Sequence, residues 1–339
     1  MVLAFLLESL LGVPGELLVS STQLTLCLFT CIGVLFATMA IVGILICIIT
    51  LILLSVYKLT LEKPDDEAVA RVLGPGEPVV FAHRAAALDA PENTMAAIRL
   101  AKANKAYGVE LDLSFTKDGI AVAFHDDELD RTTNGRGPLD DYTYDEVSEL
   151  DASTNHILGT RFPNERVPTM DEAVNEALKL GLRVILDIKA YDDRVVPYIV
   201  GLFQKHPELY ERALVASFFP QVIYRLRQVQ PKMVSALIWR PNLVAYKNVE
   251  LTRRRFRGSP LKQWLAELVD PFFGWIVHNF LWHITGCSAV LIIKDCICPH
   301  YLDQWRTRGI RVLSWTPNDP TEKEYIMSLN VSIITDTLM

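Results

Sequence analysis

From Leu17 to Tyr57 no side chain is charged, and Leu24–Tyr57 is apolar almost throughout. A helix needs only about 20 such residues to cross the ~30 Å hydrocarbon core of a bilayer. The stretch therefore predicts a tilted or partly interfacial transmembrane helix inside an anchor of residues 1–60. A cleaved signal peptide fits poorly, because its apolar region runs to roughly 7–15 residues behind a basic start. Residues 61–77 are polar, with proline and glycine towards both ends, and read as a linker.

From residue 78 the pattern changes to short apolar runs separated by amphipathic stretches. The runs are Val79–Ala82, Val109–Phe115, Ile120–Phe124, Arg183–Ile188, Ala213–Ser217, Val234–Ile238, Ala289–Ile293, Arg311–Trp315 and Ser332–Ile334. Helical periodicity lies between them, as in Thr94–Asn104, Met170–Leu180 and Tyr301–Arg308. Alternating strands and helices over residues 78–339 predict an α/β domain, a (β/α)8 or TIM barrel. Nine strand-like runs are one too many for that barrel. Thr116-Lys117-Asp118-Gly119 resolves the surplus, because an Asp-Gly pair between two apolar runs marks a tight antiparallel hairpin. The extra β-hairpin rises at the barrel mouth and returns there at His125.

Composition sharpens this picture. Hydrophobic residues make up 50% and charged residues 22% of the chain, a mean that hides the contrast between anchor and domain. A formal net charge of −7 excludes nucleic acid as a main partner, since phosphate backbones require a basic surface. Three of the six cysteines lie in the apolar run, and the other three show no metal-site spacing. No disulfide framework is implied.

Strand alternation selects the candidate chemistry. Glu110 and Asp112 are two apart, so both leave one face of an extended strand while Val109, Leu111 and Leu113 take the other. Carboxylates buried side by side repel unless a cation stands between them, and a divalent ion with oxygen ligands suits the pair. A solvated acidic strand edge reads the same way. His83 ends the first strand and His125 the returning hairpin strand, at the end where barrel active sites lie. Two imidazoles there suit acid–base work, although two structural histidines would look identical. Arg84 offers a planar charged fork for a phosphoryl oxygen. Asp187 and Lys189 share a face at another strand end and suit a third metal ligand and a phosphate contact.

These residues sit in linked motifs: His83-Arg84, Pro91-Glu92-Asn93-Thr94, Glu110-Leu111-Asp112, Thr116-Lys117-Asp118-Gly119, His125-Asp126 and Arg131-Thr132-Thr133 with Gly135 and Gly137. In this order they resemble the glycerophosphodiester phosphodiesterase family. The likeness continues through Pro168-Thr169, Asp187-Ile188-Lys189, Ser217-Phe218, Trp315-Thr316 and Thr335-Asp336. The resemblance implies metal-dependent hydrolysis of glycerophosphodiesters, glycerophosphoinositol above all, to glycerol 3-phosphate and an alcohol. It implies His83 and His125 as the acid–base pair, and Glu110, Asp112 and Asp187 as ligands of a divalent metal, Mg2+ ahead of Ca2+. It also implies that Arg84 and Lys189 hold the phosphate, with Glu92 at the substrate in or beside the metal shell. The chain departs from the family at Ala85, where glycine is usual after His-Arg. A positive φ there would set the methyl group against the backbone.

Two other functions stay open on the residues. One is a lysophospholipase D acting on glycerophospho-N-acylethanolamines or lysophospholipids. The other is a non-enzymatic membrane adaptor, against which the retention of both histidines and all three acids counts. Pro271–Ile293 is a second charge-free stretch, and within an insertion of about residues 240–285 it predicts an apolar, membrane-proximal segment, Leu268–His283, lying on lipid. Arg253-Arg254-Arg255-Phe256-Arg257 precedes it as a candidate contact with anionic headgroups. Lys58, Lys63 and Arg71 after the span favour a cytosolic domain by the positive-inside rule. The resemblance instead implies a single-span protein of the plasma membrane or endomembranes whose domain faces the lumen or exterior.

Overall fold

The computed structural model describes Ser9 and residues 15–189 and 191–339, so the first part of the expected anchor lies outside the described residues. The chain divides into two compact units between Leu59 and Thr60.

The first unit is helix α1, Gly15–Leu59. Its segment Leu28–Leu59 spans 32 residues and is long and apolar enough to cross a membrane. At 1.5 Å per residue it measures about 48 Å, more than the ~30 Å core requires. Three of its hydroxyls bond within the helix, Thr30 donating to the Leu26 carbonyl at 2.8 Å, Thr38 to that of Leu35 at 2.8 Å and Ser55 to that of Leu51 at 2.7 Å. Such local pairing is what an apolar solvent demands.

The second unit is a closed barrel. Its strands are β1 Val80–Ala82, β2 Gly108–Phe115, β3 Ala121–Ala123, β4 Arg183–Ile188, β5 Ala213–Ser217, β6 Ser235–Trp239, β7 Ala289–Ile293, β8 Arg311–Trp315 and β9 Ser332–Thr335. Eight of them run parallel, and β1 closes the ring by pairing with both β2 and β9. The ninth, β3, runs antiparallel on β2 with Leu113 opposite Ala123, the hairpin that the Asp118-Gly119 turn predicts. Gly119 sits at φ 82 and donates to the Thr116 carbonyl at 2.9 Å, which closes that turn.

The helices are α2 Asp66–Leu73, α3 Met95–Ala103, α4 Met170–Lys179, α5 Val195–Lys205, α6 Pro220–Val229, α7 Pro260–Ile276, α8 Pro299–Arg306 and α9 Pro320–Ser328, besides single turns. Alternation along β2 divides the core into two layers. Val109, Leu111 and Leu113 point outwards and pack with Ile98 of α3 and Met170 and Val174 of α4. Inside the ring, Phe81, Ile185, Leu214, Leu291 and Ile334 form the second layer. Gly108 makes room there, since a Cβ at this position would lie 2.6 Å from the Phe81 ring.

Residues 61–77 are not linker throughout, because they contain α2. Ala68, Val69, Val72 and Leu73 are buried against the inner layer of the barrel. Asp65 caps this helix by accepting from the Ala68 amide at 2.6 Å. Polar composition suggested a linker, yet the four apolar residues lie on one helical face. Within the charge-free stretch Pro271–Ile293, the last five residues, Ala289–Ile293, form a fully buried barrel strand.

Helix α4 opens on a reciprocal cap. The Thr169 hydroxyl accepts from the Glu172 amide at 3.2 Å, and the Glu172 carboxylate accepts from the Thr169 amide at 2.9 Å. Arg166 also binds this carboxylate at 2.5 Å, and its hydrogen bond leads the forces that hold the Glu172 pKa at about 2 instead of 4.5. A depressed carboxylate pKa stabilises the fold above the unfolded value, and the effect is lost as pH falls through the folded value. Glu172→Gln should therefore cost under ~1 kcal/mol near neutrality, because the pair is partly exposed and screened. The deficit should fade between pH 4.5 and about 2. Urea unfolding of both proteins at about pH 6 and about pH 3 reads this directly; a deficit equal at both values would refute it.

Candidate active site

The catalytic candidates gather at the carboxyl ends of the strands because of register. Asp112 of β2 stands directly opposite Asp187 of β4, so both carboxylates enter the barrel side by side. Glu110 lies two residues earlier on the same face. Ligand oxygens of Glu110, Asp112 and Asp187 all lie within 4.8 Å of one another, and all three residues are buried.

Lys189 follows β4 and reaches back into this group. Its ammonium binds Asp187 and lies 3.0 Å from Asp112 Oδ1. Burial works to raise the Asp112 pKa, but the Lys189 charge, helped by His125 and Arg84, outweighs it and holds Asp112 far below its usual range. Lys189 is raised in turn, the three carboxylates outweighing its own burial. One ammonium does not satisfy three acids. Burial, then the Asp112 charge, pushes Glu110 well up, and burial likewise raises Asp187.

The buried Asp187 Oδ1 accepts no hydrogen bond, and Asp112 Oδ1 has only the Lys189 ammonium at 3.0 Å. Orphaned buried oxygens are costly unless a cation is provided for them. Three hard oxygen donors converging in this way fit a divalent ion such as Mg2+ or Ca2+.

The histidines flank the acids through two different closures. The barrel closes with Ala82 of β1 opposite Thr335 of β9, so the next residues, His83 and Asp336, also face each other. His83 Nδ1 lies 2.5 Å from Asp336 Oδ1, and Asn318 donates to the other Asp336 oxygen at 2.7 Å. The β2–β3 hairpin delivers His125, whose Nδ1 lies 2.5 Å from Asp126 Oδ1. Arg131 holds Asp126 at 2.5 Å and bonds both oxygens of Glu92 at 2.7 Å. Burial depresses the His125 pKa, against the upward pull of Asp112 and Asp126. In each pair the carboxylate occupies Nδ1, leaving Nε2 to the cavity.

Arg84 begins a left-handed run, Arg84 at φ 49, Ala85 at 63 and Ala86 at 74. The turn aims the Arg84 amide at Glu110 Oε2, 2.7 Å away. Its guanidinium donates to Glu92 at 3.1 Å. Ala85 thus does adopt the conformation that favours glycine. A left-handed L-residue costs about 1–2 kcal/mol, and burying its methyl group in the outer core offsets about 0.8 kcal/mol of that.

A cavity of about 560 Å³ opens over the group. His83, Arg84, Glu92, Glu110, His125, Asp187 and Lys189 all line it, while Asp112 lies beneath, fully buried under Lys189 and Arg84. Asn93 supports Asp112 from behind, donating to Oδ2 at 2.8 Å. The far wall is formed by Phe218, Arg240, Lys247 and Trp315. Asp126, Asp336, Arg131 and Asn93 belong to the motifs quoted above, but only the fold reveals what each one touches.

Residues 83–338 match the model of the glycerophosphoryl diester phosphodiesterase family. The chain belongs to this family. It is 40% identical over 285 residues to glycerophosphodiester phosphodiesterase 1 of Mus musculus, covering 82% of this chain and 84% of the relative. The Homo sapiens protein of that name is 38% identical over 290 residues, covering 85% and 86%. Among solved structures, an Oleispira antarctica phosphodiesterase in complex with the product sn-glycerol-3-phosphate superposes with a TM-score of 0.61 at 23% identity, covering 77% of this chain and 93% of that one. A glycerophosphodiester phosphodiesterase of Agrobacterium tumefaciens gives 0.59 at 22%, covering 77% and 97%. These two likenesses establish the shared barrel. Like its family, the chain is a phosphoric diester hydrolase, a glycerophosphodiester phosphodiesterase whose buried acid triad suits the divalent metal that such enzymes require.

Proposed function

We propose that the chain hydrolyses water-soluble glycerophosphodiesters, glycerophosphoinositol in particular, to glycerol 3-phosphate and the free alcohol. The observation that carries this reading is the pair of imidazoles, each with Nδ1 held 2.5 Å from a carboxylate, beside three convergent buried acids in one cavity. The product bound by the Oleispira antarctica phosphodiesterase, sn-glycerol-3-phosphate, is the one expected here.

Glu110, Asp112 and Asp187 would hold a divalent ion, Mg2+ in this reading, which would supply charge neutralisation and orientation for the phosphodiester. Lys189 and Arg84, whose cationic ends line the cavity, hold non-bridging phosphate oxygens. Glu92, gripped by Arg84 and Arg131, fixes the Arg84 fork beside the substrate.

One imidazole takes the proton of the glycerol 2-hydroxyl as that oxygen bonds to phosphorus. The other donates a proton to the leaving alcohol as its P–O bond breaks. Water then opens the cyclic phosphate, with the two imidazoles exchanging roles, and glycerol 3-phosphate departs. Asp336 and Asp126 keep each ring in one tautomer, so that Nε2 carries the exchange.

Purified full-length protein, given glycerophosphoinositol and Mg2+, should release inositol and glycerol 3-phosphate in equal amounts. Glycerophospho-N-acylethanolamine at equal enzyme should turn over at least about tenfold more slowly. Preference for the acylated substrate would overturn the assignment in favour of a lysophospholipase D.

A further inference from the structure

Helix α7 is inside out. Leu261, Trp264, Leu265, Leu268, Phe272 and Trp275 recur at three- and four-residue spacing and are between 46% and 65% exposed. Its buried side carries Gln263 and Asp270 beside the small Ala266 and Gly274. An ordinary surface helix does the reverse. The inward groups are all employed. Asp270 accepts from the Val244 and Ala245 amides at 2.7 and 2.8 Å and Gln263 donates to the Ala245 carbonyl at 3.1 Å, while at the exposed Glu267 the Tyr246 hydroxyl adds a bond of 3.1 Å. These bonds hold the loop of residues 241–258, and its Lys247, Asn248 and Glu250 form part of the cavity wall. The apolar outer row therefore belongs to a fixed element and is not a frayed end.

The same loop carries a run of cations. Arg255 is used internally, donating to the Val244 and Leu243 carbonyls at 3.2 and 3.1 Å. Arg253 and Arg257 are exposed, as is Lys262 on α7, and among the described residues none of the three forms an ion pair. An apolar stripe with tryptophans, bordered by unpaired cations, is complementary to an anionic bilayer surface. Tryptophan favours the headgroup boundary, where one end of the ring is dry and the other wet. The chain also contains the apolar helix Leu28–Leu59, which suits the same solvent.

We propose that the outer face of α7 docks on anionic lipid, lying in the plane of the interface while Arg253, Arg257 and Lys262 meet the headgroups. The catalytic unit thus has a lipid contact of its own, made by the element that holds one wall of its cavity. This goes beyond the hydrolysis proposed above and does not depend on it.

Residues 60–339 contain the whole closed sheet and every buried cluster, so this unit carries its own core and can be tested alone. In flotation it should bind phosphatidylcholine vesicles containing phosphatidylserine at least about tenfold better than pure phosphatidylcholine vesicles. Trp264→Ser, Leu268→Ser and Phe272→Ser together should lower binding to both at least about tenfold. Hydrolysis of glycerophosphoinositol without vesicles should stay within about twofold of the parent, as these exposed side chains do not line the cavity. Arg253→Gln with Arg257→Gln should remove only the serine-lipid preference. No flotation of the parent unit, or unchanged flotation of the triple variant, would overturn the proposal. So would a dimer in light scattering that the triple substitution disperses, because a second copy would then cover the face. Binding without hydrolysis would leave docking intact and count only against the catalytic reading.

Discussion

Replacing His125 with alanine is expected to lower kcat/KM for a glycerophosphodiester roughly thousandfold, with KM changed less than about threefold. A positioned acid or base contributes about two to four powers of ten, and a thousandfold loss corresponds to ~4 kcal/mol of barrier. His125 qualifies on geometry, because it lines the cavity and its Nδ1 is tied to Asp126 at 2.5 Å, which leaves Nε2 to face the substrate. The tie is itself braced by Arg131 on the far side of Asp126. Asp126→Asn keeps the volume and alters only the partner of Nδ1, so it should cost roughly tenfold and appear in kcat instead of KM. The His83→Ala variant should resemble His125→Ala. Because the two imidazoles act as a unit, the double variant should fall far less than the product of the single losses. Steady-state release of glycerol 3-phosphate measures all of these. If His125→Ala kept more than about a tenth of parental turnover, the acid–base assignment would be lost.

The parts of this site that depend on neighbouring residues were legible before the fold. Glu110 and Asp112 share a face through the two-residue period of a strand, and the Asp118-Gly119 turn returns His125 to them; the structure places all three in this way. Strand limits followed from apolar runs, with Arg183–Ile188, Ala213–Ser217, Ala289–Ile293 and Arg311–Trp315 reproduced residue for residue. What escaped depends on ring closure. His83 meets Asp336 because β1 pairs with β9, a contact 253 residues long that has no local signal. Helix α2 escaped for another reason: its four buried apolar residues sit among Asp66, Glu67 and Arg71 in a segment with proline and glycine near its ends, which resembles a surface stretch until the core it covers is known. Helix α7, which overlaps the segment Leu268–His283 expected on lipid, exposes its apolar residues and turns Gln263 and Asp270 inwards, a choice of faces with no local signal. Periodicity reports that a helix has two faces and does not say which is inside.

Asp187→Asn should abolish hydrolysis and, in the same protein, abolish any gain in thermal stability from Mg2+. Activity loss alone would say little, because Asp187 also holds Lys189. Ligand linkage supplies the second readout: an ion at about 100 times its Kd adds about 2.7 kcal/mol to the folded state, or roughly 5–10 °C in a domain of this size. The parent should show that rise and lose it to chelator together with at least about 99% of its turnover. Without added ion the variant should melt within about 3 °C of the parent. Burial already drives the Asp187 pKa upwards, so the native carboxylate is held at a cost, and the amide removes one of three mutually repelling charges. Lys189 keeps Asp112 as a partner at 3.0 Å, so no buried ammonium is stranded. Lys189→Met is the contrasting case. It removes the cation that holds Asp112 ionised, leaving three buried acids to one another, and should melt well below the parent without ion while showing a larger rise with it. A parent that neither loses turnover in chelator nor gains stability from Mg2+ or Ca2+ would reduce the triad to a structural cluster neutralised by Lys189 alone.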